Sequence, residues 1–201
     1  MKISFIGAGS VQFTTAVVHD ITTYSALDAA EICLMDIDAY RLKKITECVE
    51  RIKKEMNSNI RIIATTDREA ALTGADAVIC TVFNGDVDIW QHDILIPKKY
   101  GVDINVGDTR SVSGIFRALR NIPLLIDICR DIERICPDAI MLNYTNPLSI
   151  ILAPENIITI ALKENSIMDE FAEGVIRAAY PENKKRFALQ IILRNASKYL
   201  Q

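Results

Sequence analysis

Short apolar runs alternate along this chain with longer stretches in which apolar residues recur every three or four positions. Residues 3–6 (ISFI), 31–35 (EICLM), 60–64 (IRIIA), 76–82 (DAVICTV) and 139–142 (AIML) read as strands, the fourth and fifth of them buried. A helical pattern opens after Ser10. A second, over 39–56, carries Leu42, Ile45, Val49, Ile52 and Met56 on one face. A short helix is predicted near 67–73, and another over 86–99 that breaks at Pro97. In 115–135 the residues Ile115, Leu119, Ile122, Leu125, Ile128 and Ile132 mark one face, and Pro123 predicts a kink or a break into two helices. Strands alternating with helices argue for a parallel sheet joined by right-handed crossovers.

The turn after the first strand adds chemistry to that pattern. Gly7-Ala8-Gly9-Ser10 separates strand from helix, so the backbone can approach a pyrophosphate and the helix start offers free N–H groups. The fingerprint is incomplete, because Gln12 holds the place of its third Gly. Asp36 ends the second strand 27 residues after Gly9, a spacing of about 20 being usual. There it would accept hydrogen bonds from adenosine ribose hydroxyls, and its charge favours NAD over NADP, whose 2′-phosphate it repels. Asp38 reads as the N-cap of the next helix, and both assignments are compatible. The expected fold class is α/β: a Rossmann-like, doubly wound, mostly parallel sheet over residues 1–150. A short helical C-terminal appendage over 151–201 would complete it.

Composition narrows the setting. The chain has 201 residues, half of them apolar, with a net charge of −3 and scattered lysines. That excludes a nucleic-acid surface, and no apolar run reaches the roughly 18 residues of a membrane span. The apolar start is too short for a signal sequence. Five cysteines without CxxC spacing read as free thiols in a reducing, cytoplasmic setting. The two histidines, His19 and His92, are too far apart for a zinc pair, and a lone helical His is usually a surface side chain.

Polar turns at strand ends are where ligands of open α/β sheets bind. Phe83-Asn84-Gly85 makes Asn84 a candidate cofactor contact, a plain turn being the competing explanation. Gly107-Asp108-Thr109-Arg110 and Ser113-Gly114 form a polar turn leading into the long helix. Arg117 and Arg120 lie near that helix's start, an unfavourable place for cations on dipole grounds. They suit an anionic or polyhydroxy ligand, or, for Arg120 especially, a solvated face. Pro147 pushes Asn146 toward an extended conformation, presenting its amide to a sugar hydroxyl or a nicotinamide carboxamide, unless this too is a plain turn.

FIGAGS, the acid after strand two, IPKKYGV, GDT, GIFRALRNIP, DIERICPDA and LNYTNP occur in that order. Through them the chain resembles glycoside hydrolase family 4, the NAD- and metal-dependent glycosidases, over residues 1 to about 150. The branch is that of the α-glucosidases, α-galactosidases and α-galacturonidases. The resemblance implies hydrolysis of α-glycosides by oxidation, elimination, addition and reduction, outside the usual two-carboxylate scheme. NAD would take a hydride from the sugar's 3-hydroxyl carbon, a base would remove the neighbouring proton, and Mn²⁺ would polarise the sugar oxygens. It carries over Gly7, Gly9, Ser10 and Asp36 as cofactor contacts. Asn146, Asp108 and Arg117 carry over as substrate-side contacts.

The departures matter too. The family's metal is held by a Cys and a His after the NYTNP loop, with a Tyr-type base further on. Here no Cys or His follows Cys136, so no metal or catalytic residue is assigned. Ser166 can cap one helix of the tail and Pro181 can start another. The tail thus reads as a shortened replacement of the substrate domain, arising by deletion or frameshift. Two functions follow: a family-4-type glycosidase acting on a small glycoside, or an inactive NAD-binding remnant, in either case a homo-oligomer without nucleic-acid or membrane partners. A lactate/malate-type dehydrogenase shares the fold and the Asn-Pro loop and ranks last.

Overall fold

The computed structural model describes residues 1–104 and 111–147. In chain order these form β1 (Lys2–Ile6), α1 (Val11–Thr22), β2 (Glu31–Met35), α2 (Ala39–Glu55) and β3 (Arg61–Thr65). They continue as α3 (Arg68–Leu72), β4 (Ala77–Cys80), α4 (Val87–Lys99), α5 (Val112–Ile135) and β5 (Ile140–Asn143). The chain divides into two compact units, one of Met1–Val82 with Ile128–Tyr144, the other of Phe83–Asp127 with Thr145–Gln201. The 105–110 turn and the tail helices expected after Ser149 lie outside the described residues.

The first unit is the predicted Rossmann-like sheet. Its five strands run in the order β3-β2-β1-β4-β5, and every pairing is parallel. The order reverses between β1 and β4, the topological switch at whose carboxyl end such sheets bind ligands. Phe5, Ile32, Leu34, Ile45, Val49, Ile60 and Val18 have no or almost no exposed surface and fill one apolar core. Burying each such side chain stabilises the fold by about 1.5–3 kcal/mol. The polar group buried in β1, the Ser4 hydroxyl, donates to the Ala71 carbonyl at 2.7 Å, so no orphan is left there. β5 departs from expectation: Ile140 is 49 % exposed, because β5 pairs only with β4 among the described strands.

The prolines are the clearest corrections. Neither breaks its helix: α4 continues past Pro97 to Lys99, and α5 contains Pro123 in one 24-residue run. Pro97 sits in the last turn of α4, where little helix remains to disrupt. Pro123 and Leu119, whose carbonyl loses its partner, are both exposed, so water can satisfy the freed oxygen. α5 also begins earlier than predicted, at Val112. Ser111 caps it, its hydroxyl accepting the Gly114 N–H at 3.2 Å, which draws Ser113 and Gly114 into the first turn. The buried stripe of α5 is Ala118, Asn121, Leu125, Ile128 and Ile132; the last three are as predicted, but before them the face turns to Ala118 and Asn121, and Leu119 is 49 % exposed.

Candidate functional site

In the first unit the glycine turn is built by contacts that leave no room for side chains. Gly7 has φ +86°, a left-handed conformation that a Cβ disfavours. A Cβ there would stand 2.9 Å from the Thr81 carbonyl oxygen and 3.1 Å from the Val82 Cα. The Gly7 and Ala8 N–H groups both donate to the Met35 carbonyl, at 3.0 and 2.9 Å. The Thr81 hydroxyl donates to the Gly7 carbonyl at 2.8 Å, so the ends of β1, β2 and β4 are tied together at the switch point. At the next glycine, a Cβ on Gly9 would lie 2.7 Å from Asp36 Oδ2 and 3.1 Å from Arg41 Cβ.

Asp36 therefore does more than the sequence suggested. Its Oδ2 accepts the Gly9 N–H at 2.7 Å and its Oδ1 the Asp38 N–H at 2.9 Å. Each carboxylate oxygen has a second lone pair, so the group still has acceptor capacity for ribose hydroxyls. Asp38 is the N-cap of α2, accepting from the Tyr40 and Arg41 N–H groups. Ser10 occupies the N-cap position of α1 in extended backbone and makes no side-chain capping bond. The first-turn N–H groups of a helix have no intrahelical acceptor, which suits an anion. Gly7, Gly9, Ser10 and Asp36 thus come together in one cradle.

The second unit gathers Asn84, Arg117 and Asn146, but in roles the sequence did not show. The Asn84 amide donates to the Arg120 carbonyl at 2.6 Å, and its backbone N–H donates to Asn121 Oδ1 at 3.1 Å. Asn121 Nδ2 in turn donates to the Asn146 carbonyl at 2.9 Å. Asn121, fully buried, thus bridges the loop after β4 and the loop after β5, and the side chain of Asn146 is left exposed beside the cis Asn146–Pro147 bond. Arg120 is not on a solvated face. Its guanidinium grips the buried Asp93 carboxylate with two hydrogen bonds of 2.5 and 2.6 Å, which raises its pKa. Arg117 lies over the Phe83 ring at 4.9 Å and the Trp90 ring at 5.7 Å. His92 is exposed, as the sequence reading held, and Asp108 lies outside the described residues.

Asn121 and Asp93 went unnamed in the sequence. Asn121 does carry a signal, since it interrupts the apolar stripe of α5 at the spacing of Ala118 and Leu125. Asp93 has only its place four residues before the buried Pro97. Among the described residues no three His, Cys, Asp or Glu side chains are grouped so as to hold a metal ion.

A glycine-lined switch point with an acid closing strand two defines a Rossmann-like, dinucleotide-binding type of fold. The profile described as "Family 4 glycosyl hydrolase" matches residues 2–158, and the chain belongs to that family. It is 42% identical over 149 residues to an alpha-galactosidase of Bacillus subtilis (strain 168), which covers 74% of this chain and 34% of the relative. To an alpha-glucosidase of Erwinia rhapontici it is 39% identical, over 74% of this chain and 33% of the relative. The chain therefore spans about a third of the length of the curated relatives it matches. A 6-phospho-beta glucosidase of Thermotoga maritima, solved with manganese, NAD+ and glucose-6-phosphate, superposes with TM-score 0.68 at 27% identity, over 76% of this chain and 36% of that one.

Proposed function

We propose that this chain supplies the dinucleotide-binding part of a glycosidase that hydrolyses α-glycosides by NAD-dependent oxidation, elimination, addition and reduction. The observation that carries the reading is the Gly7–Gly9–Asp36 cradle, in which both would-be Cβ positions are already taken. The residues fit NAD, which when bound supplies a hydride acceptor. The tight Gly7–Gly9 turn would bring the diphosphate to Ser10 and the start of α1, whose first-turn N–H groups have no intrahelical acceptor, and Asp36 would accept from the adenosine ribose. Asn84 belongs to the proposed cofactor contacts through its Oδ1, since its Nδ2 is engaged by Arg120. Asn146, Asp108 and Arg117 are the proposed substrate-side residues; the exposed Asn146 amide supports the first and the aromatic-backed Arg117 guanidinium the last.

A divalent metal does not fit the described residues, which offer no ligand group, and no step is derived through one. A second reading takes the 1–150 region as a dinucleotide-binding module without turnover of its own, supported by a cradle that the described residues complete without a metal. A cytoplasmic setting is part of the proposal, supported by five free cysteines, and no described helix is long and apolar enough to cross a membrane. So is a homo-oligomer, supported by the exposed Val87, Ile96 and Leu119.

Calorimetric titration of the purified chain with NAD⁺, with and without Mn²⁺, tests both readings. It is paired with nitrophenol release from α-glucoside, α-galactoside and α-galacturonide. Turnover needing NAD⁺ and Mn²⁺ is the expected result for the glycosidase. Binding of NAD⁺ without turnover selects the module, and no binding at all overturns both.

A further inference from the structure

Arg41 lies beside the cradle with no assigned task, and its placement is specific. It is the third residue of α2, and its Cβ is 3.1 Å from where a Cβ on Gly9 would stand, so its stem lies along the glycine turn. Asp36 flanks the same spot, its Oδ2 2.7 Å from that position. The Arg41 side chain is 70% exposed. Its one ionic contact among the described residues is a 3.4 Å approach of Nε to Asp38 Oδ2, itself 45% exposed. An exposed pair of that kind contributes little, so breaking it to meet a ligand costs little. Asp38 keeps its other oxygen on the Tyr40 and Arg41 N–H groups, so α2 stays capped when the guanidinium leaves.

We propose that Arg41 is a cofactor-binding residue that pairs with a phosphate borne by the adenosine half of the dinucleotide. The inference rests on the dinucleotide reading above. Two phosphates could meet it: the 5′-phosphate of the diphosphate bridge, or a 2′-phosphate on the ribose. The 5′-phosphate is the better fit. On the dinucleotide reading Asp36 faces the ribose, where a carboxylate repels a 2′-phosphate, whereas Arg41 packs on Gly9, the residue next to the Ser10 N-cap, where the start of α1 offers N–H groups to the diphosphate. A planar guanidinium can grip two phosphate oxygens at once, which an ammonium at the same place cannot do. Arg41 would also offset the Asp36 charge next to an anionic ligand.

The test is a titration series on the full chain with adenosine, 5′-AMP, 2′-AMP and NAD⁺, comparing wild type with Arg41→Ala and Arg41→Lys. Loss of a charged hydrogen bond weakens binding about tenfold or more. The expected result is that weakening for 5′-AMP and NAD⁺ in Arg41→Ala, partial recovery in Arg41→Lys, and unchanged binding of adenosine. Wild-type affinity for 5′-AMP should also fall as salt is raised, and that dependence should be shallower in Arg41→Ala. Equal weakening of adenosine and 5′-AMP would mean that Arg41 only shapes the turn, and would overturn the proposal. Selective loss of 2′-AMP binding would overturn its placement at the diphosphate. Nucleotide binding that ignores the substitution sinks this inference alone, while a wild-type chain that binds neither 5′-AMP nor NAD⁺ sinks the dinucleotide reading with it.

Discussion

The two units of this chain are held together by different physics. In the first, the fully buried side chains include Phe5, Ile32, Leu34, Ile45, Val49, Ile60 and Val78, and burial of apolar surface holds a regular parallel sheet. In the second, Asp93 and Asn121 are buried, while Val87, Ile89, Leu95, Tyr100 and Leu119 are exposed. There the loops are fixed by a chain of polar contacts: Asp93 to Arg120, the Arg120 carbonyl to Asn84, Asn84 to Asn121, and Asn121 to Asn146. An apolar core is tolerant in detail, since any well-packed set of similar volume will serve. A polar network is less so, because removing a partner of the buried Asp93 or Asn121 strands a polar group that water does not reach.

The largest effect should come at a glycine where the apolar unit has no tolerance. Gly7→Ala puts a methyl group 2.9 Å from the Thr81 carbonyl oxygen at a φ of +86°. Left-handed strain and overpacking against backbone together predict a loss of roughly 2–4 kcal/mol in urea unfolding. NAD⁺ binding should vanish in calorimetry even where the variant is folded. A variant with wild-type stability would show that the close approach of β1 to the end of β4 is not what sets the turn.

Next in size is the polar unit's own weak point. Asp93→Ala leaves the Arg120 guanidinium, only 26% exposed as a side chain, without its carboxylate. Breaking a buried pair from one side predicts a loss of about 3 kcal/mol at most, less for the part of Arg120 that water reaches. Replacing both residues, as Asp93→Leu with Arg120→Met, should recover most of that loss in the same urea titration, since no charge is left stranded. If the double variant is as unstable as the single one, the pair acts through something other than mutual neutralisation. The Arg120 carbonyl that holds the Asn84 amide is then the place to look.

The same contrast explains what could be read from the sequence. Apolar periodicity announces β1, β2, α2 and β4, because each residue's burial there follows from its neighbours two, three or four positions away. Gly7, Gly9 and Asp36 were legible because the turn that joins strand to helix must be small and the acid must end a strand. The Asp93–Arg120 pair spans 27 positions and the Asn121–Asn146 bond 25, and no local period encodes either. Asn121 could have been noticed as the polar residue in the stripe of Ala118, Leu125 and Ile128. In the first half of the helix the predicted face, carried by Ile115, Leu119 and Ile122, was rotated away from it, while Leu125, Ile128 and Ile132 are buried as predicted. The prolines misled for a related reason: the cost of Pro123 depends on whether the freed carbonyl meets water, which is a fact of packing and not of sequence.

The smallest effect should come from charge in the apolar unit, and its direction with pH is fixed. Burial is the largest single influence on Asp131 and pushes its carboxyl up. Hydrogen bonds and charge from Arg134 and Arg68 together outweigh it, leaving the group below its ordinary value of 3.8. A carboxyl lowered in the folded state stabilises the fold above the unfolded value, and that contribution is lost as the pH falls through the folded one. Asp131→Asn should therefore cost stability at pH 7, and that cost should shrink as the pH falls below 3.8 and through the lowered folded value. The side chains involved are partly exposed, Asp131 at 24% and Arg134 at 57%. Solvent screening then keeps the difference at roughly 0.3–1 kcal/mol. Urea midpoints of the two proteins that converge toward acid would place this ion pair at the margin of a unit held by its core. Midpoints that stay well apart at low pH would mean that Asp131 supports the α3–α5 contact through its hydrogen bonds whatever its charge, as Asp93 does for the polar unit.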